Sequence, residues 1–305
     1  MTFNLSLNGF YASDGLFLPS LLYEPKIKTD CALIYLHGNG SSSVFYKTDF
    51  MNNFAKKCTK NNMAFFTFNN RGANIIKSLK KKMNELNEEK IMYGMVYELI
   101  EECVFDIDGA IDFLKEKNYK NFFIAGHSTG ANKIVVYDFL KKYNEIIGYI
   151  LLAGGDDMGL YYDEVGKKIF FKALEKSKLE IENGNGRNIS PKYISKFGLS
   201  YQSLFDTINP EGLYNIFPYY DIWHNLKLSN KKPFLECQNI SKPTFVLYGD
   251  IDEFCFGNVR RCLQIFQSNV NNPNFSYDLI EGANHGFYPY EETMMEKVVN
   301  YIKSL

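Results

Sequence analysis

Short apolar runs alternate along most of this chain with longer stretches whose apolar residues recur at helical spacing, and few folds accommodate that order. The runs at 32–36, 64–68, 121–125, 149–153, 244–248 and 275–280 are too short for buried helices and are bounded by turn-forming residues, so they read as strands. Between them, 45–61, 98–117, 131–143 and 291–302 read as helices, with Val104, Ile107, Ile111 and Leu114 marking one face of the second. Strands and helices in alternation build a mainly parallel sheet covered by helices on both faces, which sets the class as α/β. The alternation breaks once, across 156–240, where an amphipathic helix over 163–181, the turn Asn183-Gly184-Asn185-Gly186 and several aromatic clusters intervene. We therefore expect a core made of residues 1–155 and 241–305 with a cap subdomain inserted at 156–240.

A chain of 305 residues has room for a large core of this kind. Its 34 basic and 35 acidic residues leave a net charge of -1, which supplies no field to draw nucleic acid or anionic lipid. The basic run at 77–82 accordingly reads as solvated helix surface rather than a binding patch. No segment has the ~18 uninterrupted apolar residues of a membrane span, and residues 1–10 lack the features of a secretory signal, so a cytoplasmic location is expected. The 6 cysteines form no C-x-x-C pair and the 4 histidines show no metal-ligand spacing, so free thiols and no metal are expected. Neither G-x-G-x-x-G nor a P-loop occurs, and no cofactor is expected.

Gly126-His127-Ser128-Thr129-Gly130 matches G-x-S-x-G, in which the flanking glycines permit a sharp turn that lifts the serine into a site. The pentapeptide follows an apolar strand and opens a helix, the setting that this chemistry requires. A serine hydroxyl is a weak nucleophile at neutral pH and needs a base to take its proton. His37 ends a strand, His127 occupies the variable position of the turn, and His224 lies in the inserted segment. His285 stands in the loop between the last strand and the last helix, which leaves the same carboxyl edge of a parallel sheet as the serine turn. The third group must be a carboxylate that orients the imidazole, and Asp250, Asp252 and Glu253 all follow the strand at 244–248.

These residues together resemble the α/β-hydrolase superfamily, across nearly the whole chain apart from the insertion. The resemblance rests on His37-Gly38-Asn39 after a strand, the serine pentapeptide, Gly249-Asp250-Ile251-Asp252, and Glu281-Gly282-Ala283-Asn284-His285 before the last helix. It implies a serine hydrolase of the esterase or lipase kind, with Ser128 as nucleophile, His285 as base and Asp252 as the orienting acid. It further implies an oxyanion hole formed by the backbone N–H groups of Asn39 and Thr129, a small-molecule ester as substrate, and no cofactor. Gly38 and Gly40 are compatible with close approach of that loop to a ligand, and His37 is expected to orient it. An acyltransferase or a peptidase would use the same three groups, while a non-catalytic binding protein of this fold would normally have lost one.

Overall fold

The computed structural model describes residues 3–40, 43–196 and 198–305. It begins with a hairpin not expected from the sequence, in which β1 (Phe3–Tyr11) pairs antiparallel with β2 (Phe17–Pro25). Edge position explains the weak signal of β1, because its Leu5 and Leu7 are 49% and 73% exposed and mark no buried face. Next come β3 (Cys31–Leu36), α1 (Thr48–Lys60), β4 (Ala64–Phe68) and a second hairpin of β5 (Lys77–Lys82) and β6 (Glu88–Tyr93). The chain continues through α2 (Cys103–Glu116), β7 (Asn121–His127), α3 (Thr129–Leu140) and β8 (Ile146–Leu152). Four helices follow, α4 (Asp157–Glu182), α5 (Tyr201–Ile208), α6 (Tyr219–His224) and α7 (Leu235–Gln238). The sheet is completed by β9 (Thr244–Gly249) and β10 (Phe275–Ile280), separated by α8 (Val259–Asn269) and followed by α9 (Glu291–Lys303).

The central sheet has 8 strands in the order β1-β2-β4-β3-β7-β8-β9-β10. Pairing is parallel from β4 through β10, while β2 runs antiparallel to both β1 and β4. Every residue of β4 and β9 is buried, which is why these strands read as continuous apolar runs and not as alternating ones. Helix α1 packs against α9, and α2 packs against α3. Residues Thr129 to Asp138 of α3 are all buried, and the helix is correspondingly apolar around most of its circumference.

The basic run at 77–82 is a strand and not the helix surface expected from it. Two of its lysines face acids across the hairpin: Lys82 and Lys81 stand opposite Glu88 and Glu89, and Lys81 Nζ also lies 2.8 Å from Asp14. The segment between β8 and β9 is divided between two apolar clusters. Met158, Phe170, Leu204 and Ile208 form a small core of their own, whereas Tyr214, Phe217, Tyr219, Phe234 and Cys237 join the main one.

One buried ion cluster fixes the end of β4. Arg71 is fully buried, and its guanidinium donates to Asp106 at 2.7 and 2.9 Å and to Asp14 at 3.1 Å, between the rings of Tyr93 and Phe105. The Arg71 backbone N–H also donates to Asp106, at 2.9 Å. The cluster therefore ties the loop after β4 to α2 and to the turn of the first hairpin. Replacing Arg71 with Ala strands the buried Asp106 carboxylate, and we expect a loss of ~3–5 kcal/mol in urea unfolding. A loss below about 1 kcal/mol would mean that the cluster is effectively solvated.

Candidate active site

The chain leaves β3 toward β4 on one side and, from β7 onward, builds outward on the other. The loops after β3 and β7 therefore diverge from adjacent strands and leave a crevice at the carboxyl edge of the sheet. Ser128 stands at its floor, in the turn between β7 and α3, with φ 57° and ψ -129°. A non-glycine residue in this region carries ~1–3 kcal/mol of strain, which the surrounding packing must hold. A side chain at Gly126 would run into the Gly130 backbone, and one at Gly130 would meet Leu36 O at 2.5 Å. The two glycines thus let the turn close and let α3 start against β3. The Ser128 N–H donates to Leu152 O at 2.8 Å, anchoring the turn to β8.

His285 arrives from the loop after β10. Its Nδ1 lies 2.9 and 3.0 Å from the two carboxylate oxygens of Asp252, so Nδ1–H donates to the carboxylate and Nε2 is left as the basic nitrogen. The Asp252 side chain is 1% exposed and that of His285 13%, which keeps the pair largely out of water. The three acids after β9 have separate partners. Asp250 accepts from the Gly282 N–H at 2.6 Å, and Glu253 accepts from the His285 backbone N–H at 3.0 Å. Asp252 alone among them meets the ring, while its neighbours shape the loop that carries it.

The loop after β3 lies directly against the serine. A Cβ at Gly38 would sit 2.9 Å from Ser128 Cβ, so glycine is needed for the approach. Thr129 is the first residue of α3, and its N–H has no acceptor a turn earlier in the helix. Among the described residues the Asn39 N–H makes no hydrogen bond either, while the Asn39 side chain takes the Gly40 N–H at 2.7 Å. His37 is buried, accepts the Asn70 N–H on Nε2 at 3.1 Å, and donates from Nδ1 to Gly38 O at 2.6 Å. It thereby clamps the loops after β3 and β4 together. Accepting the Asn70 N–H on Nε2 requires a neutral ring, and burial pushes its pKa from 6.5 down to about 3.

Two contacts have no signature in the sequence. His127, at the variable position of the pentapeptide, donates from Nε2 to the His285 carbonyl at 2.8 Å and joins the serine turn directly to the imidazole loop. Burial holds it neutral, with its pKa lowered to about 3. Phe254 packs edge-on against the His285 ring with centroids 4.6 Å apart, which shields one face of the imidazole. Among the described residues no hydrogen bond joins Ser128 Oγ to His285. A cavity of about 390 Å³ lies behind this loop, between Tyr35, Phe50, His127, Asn284, Phe287 and Met294, and neither Ser128 nor His285 lines it. The aromatic clusters of the insertion contain rings packed on one another. Phe170 lies against Tyr162 and Phe171, and Phe217 stacks on Tyr219.

Among solved structures, the chain is similar to an esterase of Pyrococcus furiosus, at 17% identity and a TM-score of 0.61, with 99% of this chain and 91% of that chain covered. It is similar to Est1E of Butyrivibrio proteoclasticus with ferulic acid bound, at 14% identity and a TM-score of 0.61, covering 97% of this chain and 98% of that one. Alpha/beta hydrolase domain-containing protein 10 of mouse gives 15% identity and a TM-score of 0.57, with 98% and 99% covered. At these identities the likeness is one of fold, and the fold is that of the α/β hydrolases. Within it, the chain belongs to the family described as "Protein of unknown function (DUF1749)", whose model matches residues 93–305. No curated protein matches the sequence.

The depressed His37 pKa makes a prediction about acid stability. The unfolded chain takes up a proton near pH 6.5 that folded His37 refuses until about pH 3, so its contribution is complete above the first value and is lost as pH falls. The loss amounts to ~1.4 kcal/mol per pH unit inside that window. Urea unfolding from about pH 7 to about pH 4 should show a shallower decline for His37→Asn than for the wild type. Parallel curves would show that the ring is solvated or already charged.

Proposed function

We propose that this protein is a serine hydrolase that cleaves a carboxylic ester of a small or lipid-like molecule through an acyl-enzyme. One observation carries the reading. A strained serine in a strand-to-helix turn and an imidazole hydrogen-bonded to both oxygens of a buried aspartate meet at one sheet edge, tied to each other by the His127–His285 bond. In this reading Ser128 Oγ attacks the ester carbonyl as His285 Nε2 takes its proton, and Asp252 stabilises the resulting imidazolium. The N–H groups of Asn39 and Thr129 receive the oxyanion, which is where unpaired donors are most effective. His285 then protonates the leaving alcohol and activates the water that releases the acid. The likeness in fold to esterases supports the choice of an ester.

The segment at 156–240 serves in this reading as the cap over the crevice. Its first part, which has its own small apolar core, is the portion best suited to move relative to the sheet. Residues 214–237 contribute to the main core and act as its footing.

Turnover of a panel of para-nitrophenyl esters tests the proposal. Ser128→Ala should lower kcat by ~10^4-fold or more with an unchanged unfolding midpoint, since the members of such a unit fail together. Asp252→Asn should produce a loss of similar order, through the wrong imidazole tautomer. Wild-type turnover in Ser128→Ala would refute the assignment.

A further inference from the structure

Asp156 and Asp157 leave the end of β8, the strand between those that lead to Ser128 and Asp252, and only the first has an evident structural duty. Asp156 accepts the Gly159 N–H at 2.7 Å and the Tyr220 N–H at 2.8 Å, capping α4 and holding α6. Asp157 accepts no hydrogen bond among the described residues, and its Oδ2 is fully buried. The helix dipole favours a carboxylate at this position, but it supplies no hydrogen bond to that oxygen. The loop that presents Asp157 is held firmly. The Asn132 side chain, on α3, donates to Gly155 O at 2.8 Å and accepts the Gly155 N–H at 3.1 Å, which pins the loop to the helix that begins at the serine.

The turn after β8 brings Asp157 to the same carboxyl edge of the sheet as Ser128 and His285. Burial pushes its pKa up to about 6, and the nearby His285 and Lys133 pull it back. Tyr214, whose phenol lies beside Thr129, is also within its field. The other charges there are already matched, Lys133 with Glu98 and His285 with Asp252. An unpaired buried carboxylate oxygen is costly to retain, and a neutral side chain in its place would remove the cost. Asp157 as a whole is only half-buried, so the residue lies at the border between the interior and solvent.

Resting on the esterase reading above, we infer that Asp157 is a specificity-determining residue that accepts a hydrogen bond from a donor on the substrate, so that the preferred esters carry an ammonium or hydroxyl group near the scissile carbonyl. Such a donor would satisfy the free oxygen without disturbing Asp252, which is occupied by His285.

The test compares para-nitrophenyl esters of matched acyl length ending in an ammonium, a hydroxyl or a methyl group. Wild type should prefer at least one donor ester over the methyl ester, and Asp157→Leu should lower that ratio of kcat/KM by about tenfold or more, chiefly in KM. Asp157→Asn, which keeps the shape and one acceptor, should lose the ammonium preference and retain more of the hydroxyl one. Unfolding gives a second readout: Asp157→Leu should raise the urea midpoint, because it removes a buried oxygen that has no partner, whereas loss of a carboxylate kept for structure would lower the midpoint. A wild type without donor preference, or a ratio untouched in both variants, would overturn the inference. Ser128→Ala in the same assay separates the two readings. If it leaves turnover intact, the serine mechanism fails and this inference with it; if it abolishes turnover, the ester ratio judges Asp157 alone.

Discussion

The tight reversal of the chain at Ser128 is the constraint on which the rest of the site depends. Its backbone is held in a strained region, and the neighbouring helix and strand approach too closely for any side chain at Gly126 or Gly130. Gly38 extends the same closeness to the loop after β3. Three glycines therefore place a hydroxyl, the first N–H groups of α3 and a second backbone loop within one small volume. Strain of this size persists only where the surroundings determine it completely, and here they do so from three sides: Leu152 O from β8, β3 beneath, and the His127 bond to the imidazole loop.

Around that turn the fold supplies a stiff frame of buried polar contacts. His37, Asn69, Asn70 and Arg71 occupy the ends of β3 and β4, and each is bonded to a loop that borders the crevice or to the helix behind it. Side-chain networks of this kind are costly if incomplete and rigid if satisfied. On the far side the loops after β9 and β10 are knitted by Asp250 and Glu253, which holds the backbone on both sides of the Asp252–His285 contact. Rigidity is thus concentrated at the carboxyl edge, and the small separate core of α4 and α5 lies outside it.

Much of this arrangement was legible in the sequence, for identifiable reasons. Strands buried on both faces leave unbroken apolar runs, so β3, β4, β7, β8, β9 and β10 could be read within a few residues of their ends. Parallel topology then sends Ser128, Asp252 and His285 to one edge without any knowledge of side-chain positions. What escaped the reading lacked either burial or local encoding. β1 and β5 are poorly covered edge and hairpin strands, and the lysines of β5 are stabilised by acids distant in sequence. The three acids after β9 fall within four positions, and it is the Gly249-to-Asp252 pattern of the resemblance that singles out Asp252, the acid whose carboxylate meets the His285 ring. His127 carries no motif beyond its place in the pentapeptide, because its partner is a backbone carbonyl. The aromatic residues of the insertion are shared between two cores, a division that composition does not encode.

The central claim is that the Ser128 hydroxyl is activated by an imidazole whose other nitrogen is committed to Asp252. Peptide mapping by mass spectrometry after treatment with a fluorophosphonate reads this directly, since such reagents react with activated serines and ignore ordinary ones. The account predicts a single phosphonyl adduct on the peptide containing Ser128, formed rapidly in the wild type and only slowly in His285→Ala. No adduct at Ser128, or one formed equally fast without His285, would contradict it.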